Sequence, residues 1–344
     1  NYVVKTTKGD VMLKKGLSLV IVLVLFLSSS VSVFASTLIC GGDSIGITLS
    51  YPGVYITNTY QFIHDGKTID PKNQDILAGD LICKVNLVTV SSIEQLAKAM
   101  QTELEAGNSI QLTLKRNQEE LNRQLDVFFD QGSSTFKTGL YVKDQTIGVG
   151  TLTYFDPSNH TFASLGHQLT DIAYDLSFDE GYICKSKVED VIKNSSSKTG
   201  EKIASLSQNQ ILGEVVYNDP LGVYGTYDGE IQGQYYETAS ISEIVKGPAK
   251  LLTVLHDDLI EEVDVEIIDL KKQNQPAEKG IYFIVTDESF LNKTNGIIQG
   301  MSGSPIIQNG KLIGAVSHVN SKDQRYGYGV YIDWMLEKTE TIRQ

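Results

Sequence analysis

Apolar positions in this chain recur at every second residue over short stretches, separated by clusters of glycine, asparagine and serine. Ser109-Ile110-Gln111-Leu112-Thr113-Leu114-Lys115-Arg116 is the clearest case, a strict alternation that predicts a half-buried strand. From about Gly139 to Ile332 such runs follow one another, among them Gly148 to Tyr154, Tyr182 to Cys184, Gly213 to Tyr217, Ala249 to Leu255 and Gly280 to Thr286. Many short strands at this spacing predict a barrel or sandwich. Helical spacing is confined to two places. Ser92 can cap a helix in which Ile93, Leu96, Ala97 and Met100 share a face, and Trp334 to Glu337 begins a short terminal helix. The alternation of acids with apolar residues from Glu261 to Glu266 is the solvated face of a strand, not a set of metal ligands.

One run breaks the pattern. After Lys14 and Lys15, the stretch Leu17 to Leu27 is almost wholly apolar, and Ser28-Ser29-Ser30 and Val33-Phe34-Ala35 follow it. A basic start, an apolar middle and small residues at the end direct export. Left uncleaved, Leu17 to Ala35 is just long enough to span a bilayer as an anchor. The sequence starts at Asn1, and Met12 is the expected initiation point. Residues 1–36 are therefore expected to form a signal peptide or membrane anchor, residues 38–127 a small module, and residues 138–344 a larger β domain.

Charge and cysteines narrow the partners. A net charge of −13 disfavours nucleic acid, whose phosphates would be repelled, and also simple electrostatic docking on anionic lipid. Cys40, Cys83 and Cys184 are odd in number and widely spaced, so no disulfide framework or metal cluster is indicated. No phosphate loop, zinc spacing or nucleotide fingerprint occurs, and no cofactor is expected.

The chemistry concentrates at Gly300-Met301-Ser302-Gly303-Ser304-Pro305, between two apolar runs. This order suits the nucleophile turn of a serine protease. Gly300 permits a tight turn in which the backbone N–H groups of Gly300 and Ser302 converge as an oxyanion hole, and Gly303 clears space beside the substrate. A plain glycine- and serine-rich turn between strands would look similar. Among the five histidines, His167 ends a strand-like segment in Leu165-Gly166-His167 and is the first choice of base, with His318 the second. For the carboxylate that orients the imidazole, Asp287 at the end of an apolar run is preferred to Asp171, four residues after the histidine.

Gly139 to Val142, Gly148 to Thr153, Leu165 to His167, Gln299 to Lys311 and Gly327 to Val330 together resemble the stage IV sporulation protein B (SpoIVB) serine peptidases. The resemblance spans roughly residues 38 to 336. It implies a mainly β protein with a membrane-targeting segment, a small α+β PDZ-like domain and a chymotrypsin-like double β-barrel. It also implies Ser302 as nucleophile, His167 as base and Asp287 as orienting acid. Regulatory proteolysis during endospore formation is implied too, with cleavage of itself and of a membrane-associated regulator of an intramembrane protease, leading to a late sporulation sigma factor. The protein would then act outside the cytoplasmic membrane, between forespore and mother cell. In the PDZ-like module, Ser44-Ile45-Gly46-Ile47 is the expected carboxylate-binding loop for a captured peptide. Gln168 after the histidine and a divergent PDZ region depart from the family pattern. The reading of another class is a catalytically silent scaffold that keeps the protease fold for binding.

Overall fold

The computed structural model describes residues 36–343 apart from 131, 133–134, 171–177, 179 and 230–232. The export segment and Asp171 thus lie outside the described residues. Among the described residues no helix is long and apolar enough to cross a membrane.

The first part of the chain forms β1 (Thr37–Cys40), β2 (Ser44–Thr59), the hairpin β3 (Phe62–His64) and β4 (Lys67–Ile69), then β5 (Leu81–Val85) and β6 (Val88–Thr89). Helix α1 (Ile93–Glu105) follows, and Ser92 caps it by accepting from the Gln95 amide, as the sequence predicts. Next come β7 (Ile110–Arg116), β8 (Glu119–Leu125), β9 (Phe128–Asp130) and β10 (Thr135–Lys137). Val54, Ile56, Ile82, Leu96, Met100, Ile110, Leu112 and Leu114 bury their side chains together as the core of this module.

The strands β11 (Leu140–Asp156), β12 (Thr161–Ser164), β13 (Glu180–Ile192), β14 (Glu201–Asp219) and β15 (Gly222–Tyr227) come next. They close a six-stranded antiparallel barrel with the first half of β2. The circuit runs β2–β11–β12–β15–β14–β13 and back to β2. Ile45, Ile47, Leu49, Leu152, Phe162, Ile183 and Val223 fill it.

The remaining elements are β16 (Tyr235–Thr238), β17 (Gly247–Val254), β18 (Ile260–Leu270), β19 (Ile281–Val285), α2 (Glu288–Thr294), β20 (Pro305–Gln308), β21 (Lys311–Val319), β22 (Tyr326–Tyr331) and α3 (Ile332–Glu340). A second closed antiparallel barrel runs β17–β18–β19–β22–β21–β20 and back to β17. Closure removes free edges, so the short alternating runs of the sequence become staves buried on one face. Strands β1 and β16 pair with each other and reach both barrels, β1 through β11 and β16 through a parallel pairing with β21. The protein is therefore a small α+β module followed by a chymotrypsin-like double β-barrel.

Strands β2 and β11 serve both parts. Residues 44–50 pair with 145–151 inside the first barrel, whereas residues 55–59 pair with 140–143 inside the module.

Candidate active site

The nucleophile turn lies between the barrels, and β11 holds it from behind. Three of its carbonyls are fixed: Thr151 donates its amide to the Ser302 carbonyl (2.9 Å) and its Oγ1 to the Gly300 carbonyl (2.8 Å), while Thr153 Oγ1 donates to the Gly303 carbonyl (2.8 Å). The turn needs both glycines. Gly300 and Gly303 have φ of +91° and +92°, and a Cβ on Gly303 would lie 2.0 Å from the Thr151 carbonyl oxygen. With the carbonyls turned back into the protein, the amides of Gly300 and Ser302 make no hydrogen bond among the described residues. Two unpartnered N–H donors beside a serine can receive a developing oxyanion. Ser304 is unsuited to attack, since its hydroxyl is buried and lacks a partner among the described residues.

His167 leaves the first barrel just after β12, through Leu165 and Gly166, which both adopt left-handed φ, 70° and 68°. For a bulky residue such as Leu165 that backbone is strained, and burial of its side chain holds it there. The ring then sits with Nε2 2.8 Å from Ser302 Oγ and Nδ1 2.8 Å from the Gln168 carbonyl. A carbonyl only accepts, so Nδ1 carries the proton and Nε2 is left bare to take one from the serine. Burial lowers the His167 pKa, partly opposed by the Gln168 carbonyl and by the charge of Glu278. A depressed pKa keeps the imidazole in its basic form near neutrality.

A model of the SpoIVB peptidase S55 family matches residues 134–336, more than half of the chain. The chain belongs to the SpoIVB peptidase S55 family. A PDZ domain model matches residues 44–127. No curated protein matches the sequence. Among solved structures, the chain is similar to an inactive serine mutant of Rv3671c from M. tuberculosis H37Rv at 12% identity, over 57% of this chain and 84% of that one, with a TM-score of 0.27. Family membership makes the protein a serine peptidase that carries a PDZ domain.

Within this S55 peptidase the structure brings Ser302 and His167 together but not Asp287. The Asp287 carboxylate caps α2, where Oδ1 accepts the Phe290 amide at 2.8 Å. The Phe290 amide holds that carboxylate at the helix end, and Nδ1 of His167 is already engaged by Gln168. The expected Asp287–His167 contact is therefore absent. His318, the second choice of base, stands with its ring centroid 5.4 Å from that of His167 and makes no bond to Ser302. Burial, with the charges of His167 and Lys279, lowers its pKa to about 4, so it stays neutral.

The expected carboxylate loop is also corrected. Ile45, Gly46 and Ile47 are strand residues near the start of β2, in its barrel part, paired with Gly150, Val149 and Gly148 on one side and with Lys185, Cys184 and Ile183 on the other. Ser44 pairs with Thr151, and its hydroxyl lies 3.1 Å from that of Ser186. With both edges taken, no peptide can add there. The groove between α1 and the second half of β2 is filled by the chain itself. Leu140 lies in the module core with Val142 packed against it, and Asp144 Oδ2 accepts the Ile93 amide at the start of α1 (2.8 Å).

Several residues at the site escaped the sequence reading. Thr151 and Thr153 carry a signal, two hydroxyls two residues apart in a strand of glycine and apolar residues. Glu278 stands in a polar loop with nothing to distinguish it, although it is 3.6 Å from His318 Nε2. The Gln168 carbonyl is backbone and has no signature at all.

Proposed function

We propose that Ser302 is the nucleophile of an exported serine endopeptidase, that His167 is its general base, and that the amides of Gly300 and Ser302 receive the oxyanion. The observation that carries this reading is the 2.8 Å bond between His167 Nε2 and Ser302 Oγ, made by an imidazole whose other nitrogen is held as a donor. Attack by Oγ on a peptide carbonyl passes its proton to Nε2. The imidazolium then returns that proton to the leaving amine, and water repeats the cycle on the acyl-enzyme. The Gln168 carbonyl takes over the orienting role expected of Asp287, while Glu278 supplies negative charge toward the imidazolium.

Membership of the SpoIVB family supports a regulatory substrate rather than bulk digestion. The proposed targets are a membrane-associated regulator of an intramembrane protease and the enzyme's own N-terminal region. Cleavage would act across the cytoplasmic membrane during endospore formation, upstream of a late sigma factor, with residues 1–36 bringing the enzyme to the membrane.

Ser302→Ala and His167→Ala decide the chemistry. Each should abolish labelling by a fluorophosphonate and reduce casein cleavage on the order of 10⁴-fold or more, whereas Ser304→Ala retains a measurable fraction. Labelling that survives Ser302→Ala and disappears in Ser304→Ala would sink the assignment. A spore-forming strain carrying only Ser302→Ala should produce the protein and fail to complete spores.

A further inference from the structure

Lys202, near the start of β14, is a fully buried cation that the reaction scheme does not use. It is 5% exposed, and its Nζ lies 3.0 Å from Thr253 Oγ1 and 3.4 Å from Thr151 Oγ1. An ammonium has three donors and is costly to desolvate, and an apolar side chain would fill the same space at lower cost. Its retention therefore calls for a reason other than packing.

Its surroundings supply one. The aliphatic stem lies flat under the oxyanion turn, so that a Cβ on Gly300 would meet Lys202 Cδ at 2.9 Å. The Lys202 backbone amide donates to the Gln299 carbonyl at 3.1 Å. In a trans peptide the C=O and N–H point in opposite directions, so fixing the Gln299 carbonyl aims the Gly300 N–H toward the nucleophile side. One peptide further on, Thr151 Oγ1 accepts from Nζ and therefore turns its own proton onto the Gly300 carbonyl, 2.8 Å away. Both peptides flanking Gly300 are thus held in place by one residue, and a positive charge stands one hydroxyl behind them.

We propose that Lys202 is a positioning residue that keeps the oxyanion turn in its donor-out conformation, through its backbone amide and through an ammonium–Thr151–Gly300 relay. The inference rests on the reading of Ser302 as nucleophile. Burial also pulls the Lys202 pKa down to about 7, and no charged group among the described residues contributes to that shift. The ammonium form, present below that value, is the one that orders the relay. Activity should rise as His167 loses its proton and fall again as Lys202 loses its own.

The test uses the full chain and a fluorophosphonate, whose phosphoryl oxygen must enter the oxyanion hole. Lys202→Met should label with a limiting rate about 10²-fold below wild type, at an unchanged half-saturating concentration, and its rate should no longer fall at alkaline pH. Thr151→Val should show the same loss and Thr151→Ser should restore the rate, which keeps the proposal testable if Lys202→Met does not fold. A wild-type limiting rate in folded Lys202→Met, or in Thr151→Val, overturns the proposal. If wild-type protein is not labelled at Ser302 at all, the nucleophile reading fails instead, and the two failures are distinguishable.

Discussion

Residues 41–46 and 300–303 are both rich in small residues, and they meet opposite fates. The later segment is clamped from behind by β11, and its Gly300 and Ser302 amides have no partner among the described residues. The earlier one, around Gly46, is taken on both sides, by β11 and by β13. Glycine in each case permits close approach of another backbone or side chain. It does not say from where that neighbour comes. What separates a binding loop from a barrel stave is a strand more than a hundred residues away, and local composition carries no trace of it.

The sharpest way to break this contrast is Gly46→Glu. A Cβ at Gly46 would lie 2.8 Å from both Cys184 Sγ and a Leu206 methyl, on the face opposite the one that carries Ile45 and Ile47 into the barrel, so a carboxylate there would be pressed among apolar side chains. Loss of soluble, folded protein and of Ser302 labelling together is the expected outcome in thermal melts and probe assays. A variant that melts and labels like wild type would return residues 44–47 to an open loop.

Asp287 gives an intermediate effect. Asparagine caps helices as well as aspartate does, so Asp287→Asn should leave melting and casein cleavage close to wild type. Asp287→Ala should lose about 1 kcal/mol of stability with little change in rate. A loss on the order of 10⁴-fold in Asp287→Asn is what a triad carboxylate would show, and would place this one on His167 during turnover.

The smallest expected effect is electrostatic. Glu278 raises the His167 pKa against the larger, lowering effect of burial. Glu278→Gln removes the charge that favours the imidazolium, so the acid limb of kcat/KM should move to lower pH. A limb that stays in place or moves upward would mean that Glu278 does not act on the base.

Much of the site was legible because its signals are local. The turn from Gly300 to Pro305 needs its glycines for its own backbone, and Leu165-Gly166-His167 follows directly on a short run of small and apolar residues that forms β12. The α1 cap at Ser92 is equally local. The orienting partner was not legible. Asp287 has the sequence position of a triad acid, but its carboxylate is used within three residues, at Phe290. The group that does face Nδ1 is a backbone carbonyl, which every residue possesses. The filled groove was hidden for another reason. Residues 140–144 read as an ordinary barrel strand, and only the register against residues 55–59 shows them lying along the module.

That register has a consequence for how the chain reaches its fold. Ser50 and Gln145 are neighbours across the first barrel although roughly a hundred residues separate them. In an unfolded chain such a contact must close a long loop before any barrel hydrogen bond rewards it. A folded module already holds residues 55–59 against 140–143, so it acts as the turn of a very large hairpin and leaves only a short zip to residues 44 and 151. The module is expected to fold first and to set the rate at which the first barrel appears. The peptidase would then acquire its clamped nucleophile turn only after a domain with no catalytic residue of its own had formed.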